Sequence, residues 1–152
     1  QNVDRHTRDL VTLTATASIT TADHAGRTLL MGEVGGDAAA TFTLPAATGT
    51  GSVFKFVVSV VNTSNYLIKV ADATDTIDGQ IVITDADGTD AGSMVTAAAS
   101  DTITLNGTTT GGGAIGDYVE LIDIASNQYA VSGMVTCAAG SNIATMFSAT
   151  VS

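Results

Sequence analysis

Apolar and polar residues exchange places every second position through much of this chain, and short clusters of Gly, Asn, Asp and Ser separate the alternating runs. Residues 10–20 set Leu10, Val11, Leu13, Ala15, Ala17 and Ile19 against Thr12, Thr14, Thr16, Ser18 and Thr20. A period of two over that length predicts a strand with one buried face. Residues 21–26 read as a turn or a single helical turn, and residues 27–31 as the next short strand. Gly35-Gly36-Asp37 marks a tight turn. Residues 40–44 alternate again, with Phe42 and Leu44 on one face, until Pro45 ends the run. Residues 46–52 are small and read as a flexible loop.

Residues 53–61 carry the strongest strand signal. Phe54, Phe56 and Val58 face one way and Val53, Lys55 and Val57 the other. Two largely apolar faces predict a central strand. Asn62-Thr63-Ser64-Asn65 turns the chain and residues 66–70 return, which predicts a hairpin. After an acidic turn at 72–78, strands are expected over 80–84, 93–97 and 102–105, followed by a Thr- and Gly-rich loop to residue 113. Residues 117–124 put Tyr118 and Glu120 on one face and Val119 and Leu121 on the other. Ser126-Asn127 then turns the chain into a return strand over 128–137, and residues 142–151 read as a closing strand. About ten short strands and no long helix predict an all-β fold, a compact antiparallel sandwich or small barrel. No fixed period of roughly 20–50 residues repeats, which argues against a solenoid or propeller. Residues 1–9 are polar and precede the first alternating run. They read as an extended N-terminal arm, and residues 10–152 as a single β domain.

Composition supports this and narrows the partners. The 152 residues include 25 Thr, 23 Ala and 16 Gly beside one Pro. Thr favours a pleated, half-buried surface, Gly serves turns, and Ala fills tight layers. The net charge of −10 repels phosphate backbones and anionic membrane surfaces, so neither nucleic acid nor membrane is an expected partner. No stretch approaches the roughly 20 apolar residues that span a bilayer. Charged residues make up only 13% of the chain, against about 25% in ordinary soluble domains. That scarcity predicts a surface partly covered by other subunits.

Candidate chemistry is sparse. His6 lies in the arm, a poor place for precise geometry, and His24 lies in a turn beside Asp23 and Arg27. Ser and Asp are plentiful, but no Gly-x-Ser-x-Gly elbow is present. The one cysteine, Cys137, reads as a buried inert thiol near the end of an apolar strand. Zinc would need more Cys and His than the chain has. Asp85, Asp87 and Asp90 flank Gly88, and Asp72, Asp75 and Asp78 form a second cluster. Neither has the EF-hand spacing, so both read as solvated turn residues, with calcium as the minority reading. Residues 111–116 lack the Lys-Ser/Thr of a phosphate-binding loop. Asn62-Thr63-Ser64 and Asn106-Gly107-Thr108 match the glycosylation sequon. The expectation is a non-enzymatic protein without a cofactor or metal.

Two stretches carry a resemblance. One is Ala25-Gly26-Arg27, then Thr41-Phe42-Thr43-Leu44-Pro45-Ala46-Ala47-Thr48-Gly49-Thr50-Gly51, then Phe54-Lys55-Phe56-Val57-Val58. The other is Asp101-Thr102-Ile103-Thr104-Leu105-Asn106-Gly107-Thr108-Thr109-Thr110-Gly111-Gly112, then Gly116-Asp117-Tyr118-Val119-Glu120-Leu121. Together they resemble small structural proteins of tailed bacteriophages, the capsid decoration (cement) and minor virion proteins. The resemblance implies a virion location on the outer capsid surface. It also implies a homotrimer, the major capsid protein as partner, and capsid stabilisation without catalysis. On that reading the arm docks on the shell, with Arg5, His6 and Arg8 as the expected capsid-binding residues in an otherwise acidic molecule. The alternative is a phage fibre or a receptor- or glycan-binding β module. Such sites use exposed aromatics, and the chain offers Tyr66, Tyr118 and Tyr129 beyond its four Phe.

Overall fold

The computed structural model describes residues 10–32, 38–62 and 64–151. The arm and the Gly35-Gly36-Asp37 turn lie outside the described residues. The protein is an all-β sandwich of twelve strands, with one four-residue helix among the described residues. In chain order the elements are β1 (Leu10–Leu13), β2 (Ala17–Ser18), α1 (Thr21–His24), β3 (Thr28–Met31), β4 (Ala40–Thr43), β5 (Val53–Val58) and β6 (Tyr66–Lys69). They continue with β7 (Thr76–Asp85), β8 (Ala91–Val95), β9 (Thr102–Leu105), β10 (Tyr118–Ala125), β11 (Gln128–Cys137) and β12 (Phe147–Ser148). A seven-stranded sheet runs β1-β3-β5-β10-β11-β7-β8 and a five-stranded sheet runs β12-β9-β6-β4-β2.

The sheets are mixed, where the alternation had suggested antiparallel ones. The first six strands alternate between the two sheets, so each strand meets its in-sheet neighbour only after a full turn of chain and runs parallel to it. This half of the chain is therefore a two-sheet coil, an arrangement the missing repeat period had argued against. Its turns begin at Leu10, Thr28 and Val53, at unequal spacing, and so leave no fixed period in the sequence. The same winding overturns two local readings. The run at residues 10–20 divides between β1 and β2 in different sheets. Residues 53–58 and 66–69 do not form a hairpin, because β6 pairs with β4 and β9 across the sandwich from β5.

Other readings hold. β5 is an interior strand of the larger sheet. β10 and β11 form a hairpin through Ser126-Asn127, where Asn127 takes φ 64. The inward faces supply the core. Phe54, Phe56, Val119, Leu121, Val131 and Ile81 of the large sheet meet Phe42, Tyr66, Ile68, Ile103 and Leu105 of the small one, all buried. The Phe42 ring sits 5.9 Å from Phe56 and 6.2 Å from Tyr66. β7 and β11 approach closely at Gly79, whose φ of 143 and nearness to the Val131 carbonyl leave no room for a side chain. No helix among the described residues is long and apolar enough to cross a membrane.

Candidate functional site

The reactive residue types are tied into structure. Thr20 caps α1, its hydroxyl accepting the Asp23 N–H at 3.2 Å. Half-buried His24 closes the same turn, its Nδ1 accepting the Thr20 N–H at 2.9 Å. Cys137 is buried, its thiol donates to the Thr109 carbonyl at 3.1 Å, and burial pushes its pKa up. A thiolate is therefore disfavoured there.

The acidic residues depart from the sequence reading. Asp75 and Asp85 were expected in solvent, yet they are 1% and 2% exposed, and Asp101, Asp117 and Asp123 are buried as well. Each carboxylate fastens a loop. Burial opposes ionisation of Asp85, but the Asp90 N–H and the hydroxyl and N–H of Thr89 prevail and hold its pKa at about 2. Asp101 accepts the Thr150 and Val151 N–H groups and so pins the chain beyond β12. Asp117 accepts from the Gly112 and Thr136 N–H groups and the Thr136 hydroxyl, and burial still pushes its pKa up. Asp123 sits under residues 48–50. Burial works against its charge, but the Thr50 hydroxyl and the N–H groups of Gly49, Thr50 and Thr48 hold its pKa down. Residues 46–52 are thus a clamped loop rather than a flexible one.

Asp75, Asp123 and Tyr129 are the nearest approach to an acid–base grouping. Burial raises the pKa of Asp75, and burial with the charges of Asp123 and Asp75 raises that of Tyr129. Two carboxylates pushed apart are what acid–base catalysis uses. Here Asp75 accepts the Ala47 N–H at 3.1 Å and the Tyr129 hydroxyl donates to the Pro45 carbonyl at 2.6 Å, so all three groups hold the same loop. No buried side-chain oxygen or nitrogen among the described residues lacks a partner. Nor do three His, Cys, Asp or Glu side chains converge as metal ligands among those residues. The sequon asparagines are engaged too. Asn62 is fully buried and donates to the Ala38 carbonyl, and Asn106 accepts the N–H groups of Thr108, Thr109 and Thr110.

What remains is a surface. The strand registers set Leu30, Val57, Tyr118, Met134 and Val82 side by side across five strands of the large sheet. All five alternate with buried neighbours and so face outward, with Met134 54% and Val82 40% exposed. Ile115, 75% exposed on the loop before β10, joins Val82, Thr84, Tyr118, Met134 and Thr136 around an open cavity of about 350 Å³. The row has no charge of its own. Lys55 borders it, with Nζ 4.8 Å from the centre of the Tyr118 ring, and pairs in register with Glu120. The outer face of the small sheet is different: it carries Thr41, Thr43, Lys69 and Thr104, with Leu67 among them.

Alternation identified the outward side of Tyr118 but not the row, since Met134 and Val82 become its neighbours only through strand order. The available signal was an apolar residue at an outward position of each strand. Arg5, His6 and Arg8 lie outside the described residues. No family model, curated protein or solved structure matches the chain. The protein is thus an all-β, two-sheet sandwich, set apart by one apolar outer row and by carboxylates committed to its loops.

Proposed function

We propose that this chain is a non-enzymatic structural protein, a decoration (cement) protein that binds the outer surface of a tailed-phage capsid and stabilises it as a homotrimer. The observation that carries the reading is the uncharged row from Leu30 to Val82 with its cavity, on the outer face of the larger sheet. A row of this kind favours contact with another protein surface. Covering the exposed parts of Met134, Val82 and Ile115 contributes about 3 kcal/mol per copy, roughly 100-fold in affinity. Repetition over a shell multiplies that by avidity. The arm, with Arg5, His6 and Arg8, supplies a second contact, and deleting residues 1–9 is expected to weaken shell binding while leaving the β domain folded.

A glycan-binding module draws less support. Tyr66, Tyr129 and all four Phe are buried, which leaves Tyr118 as the one partly exposed aromatic. The test is co-sedimentation with purified capsids that lack this protein. The native chain is expected to pellet with the capsids, and a Val82→Lys, Met134→Lys double variant to stay in the supernatant with an unchanged melting curve. Equal pelleting of the two would remove the row from the proposal, and a native chain that never pellets would end it.

A further inference from the structure

Four strand edges close the two sheets among the described residues, and they are not alike. β2 and β12 are two residues long, too short to template another strand. β1 offers four residues, beginning at Leu10 where the described residues start. β8 offers five residues, Ala91-Gly92-Ser93-Met94-Val95, without a charge, a proline or a register shift against β7. Natural edges are guarded by lysine, proline, bulges or covering loops. β8 carries none of the first three, and Val95 at its end is 68% exposed.

The direction of its backbone groups follows from two hydrogen bonds. Asp85 N–H donates to the Asp90 carbonyl, and Thr96 N–H donates to the Gly79 carbonyl. In an antiparallel pair the bonded positions alternate. Residues 90, 92, 94 and 96 therefore bond to β7, and the N–H and C=O groups of Ala91, Ser93 and Val95 point away from the sheet.

We propose that β8 pairs antiparallel with β8 of a second copy of this chain, about a twofold axis through Ser93. Only this register uses all three outward residues of both strands, with Ala91 opposite Val95 of the second copy and Ser93 opposite Ser93. Charge agrees with it, because Asp90 falls opposite Thr96 rather than an acidic residue, so the net charge of −10 is not concentrated at the joint. The apolar row agrees as well. Val82 pairs with Ser93, so the two apolar rows would lie in line, separated by the Ser93 pair. The contact is small, suited to linking copies already gathered on a scaffold. Its basis is the backbone of β8 rather than capsid binding, and it adds a twofold contact to the threefold ring proposed above.

Disulfide trapping tests the register in solution, with no capsid present. The native Cys137 is buried and leaves the introduced thiol as the reactive one. Ser93→Cys places two sulfurs across the axis at a Cα separation of about 5.5 Å, within disulfide range. Ala91→Cys and Val95→Cys each place like positions about 14 Å apart, and only their mixture brings unlike positions together. Under mild oxidation, Ser93→Cys alone and the 91/95 mixture are expected to form dimer at least tenfold faster than either Ala91→Cys or Val95→Cys alone. Rates for Ser93→Cys no faster than for Ala91→Cys alone would overturn the proposal whether or not the protein binds capsids.

Discussion

Asp123 is the most heavily used carboxylate among the described residues, and its removal has a calculable cost. Oδ1 accepts the N–H groups of Thr48 at 3.0 Å and Gly49 at 2.7 Å. Oδ2 accepts the Thr50 N–H at 3.2 Å and its hydroxyl at 2.8 Å. Hydrogen bonds to a charged acceptor contribute about 1.5–3 kcal/mol each. Four do not add fully, because residues 48–50 are exposed and water takes up the donors once the acceptor is gone. The loop also keeps Asp75 on Ala47 and Tyr129 on Pro45. The expected loss for Asp123→Ala is about 3 kcal/mol, which lowers the melting temperature by roughly 6–12 °C for a chain of this size. Asp123→Asn should cost as much, since either orientation of the amide turns an NH2 toward an N–H donor. The pH dependence has a definite sign. The folded pKa lies below the ordinary 3.8, so this stabilisation is complete above that value and is lost as pH falls through the folded pKa. The gap between native and Asp123→Ala stability should therefore narrow in acid. Urea titrations at pH 7 and pH 3, with hydrogen exchange at amides 48–50, measure it. If Asp123→Ala stays within about 0.5 kcal/mol of native at pH 7 with those amides still protected, the loop clamp is refuted.

Two further outcomes follow from the same geometry. Asp117 is the opposite case: burial raises its pKa, so ionisation costs stability as pH rises from below 3.8 through the folded value. In Asp117→Asn the amide oxygen keeps both N–H donors while its NH2 donates to the Thr136 hydroxyl. Urea unfolding at pH 7 should find it within about 1 kcal/mol of native, and relatively better there than at pH 3. Gly79→Ala forces a methyl group onto the Val131 carbonyl at φ 143, while a methyl at Gly92 meets nothing within 4 Å. Thermal melts should show Gly79→Ala destabilised by more than about 3 kcal/mol and Gly92→Ala within about 0.5 kcal/mol of native.

Short-range physics made part of this protein legible. Alternation located β4, β5, β9, β10 and β11 to within a residue or a few, because side-chain direction in a strand depends only on position along it. Ser126-Asn127 could be read as a turn because Asn tolerates positive φ. The buried state of Cys137 followed from its apolar strand. The sheet that each strand joins was not legible in this way. β5 and β6 carry every local sign of a hairpin, yet they lie in opposite sheets, since the coil is chosen by what the inward faces of Phe42, Phe56 and Tyr66 bury together. Asp75 looks solvated for the same reason: the Ala47 N–H that its carboxylate accepts lies 28 residues away along the chain. The outer row is the clearest case. Each of Leu30, Val57, Tyr118, Met134 and Val82 is an ordinary outward apolar residue in its own strand, and only tertiary strand order, set by burial on the opposite face, lines the five up as one surface.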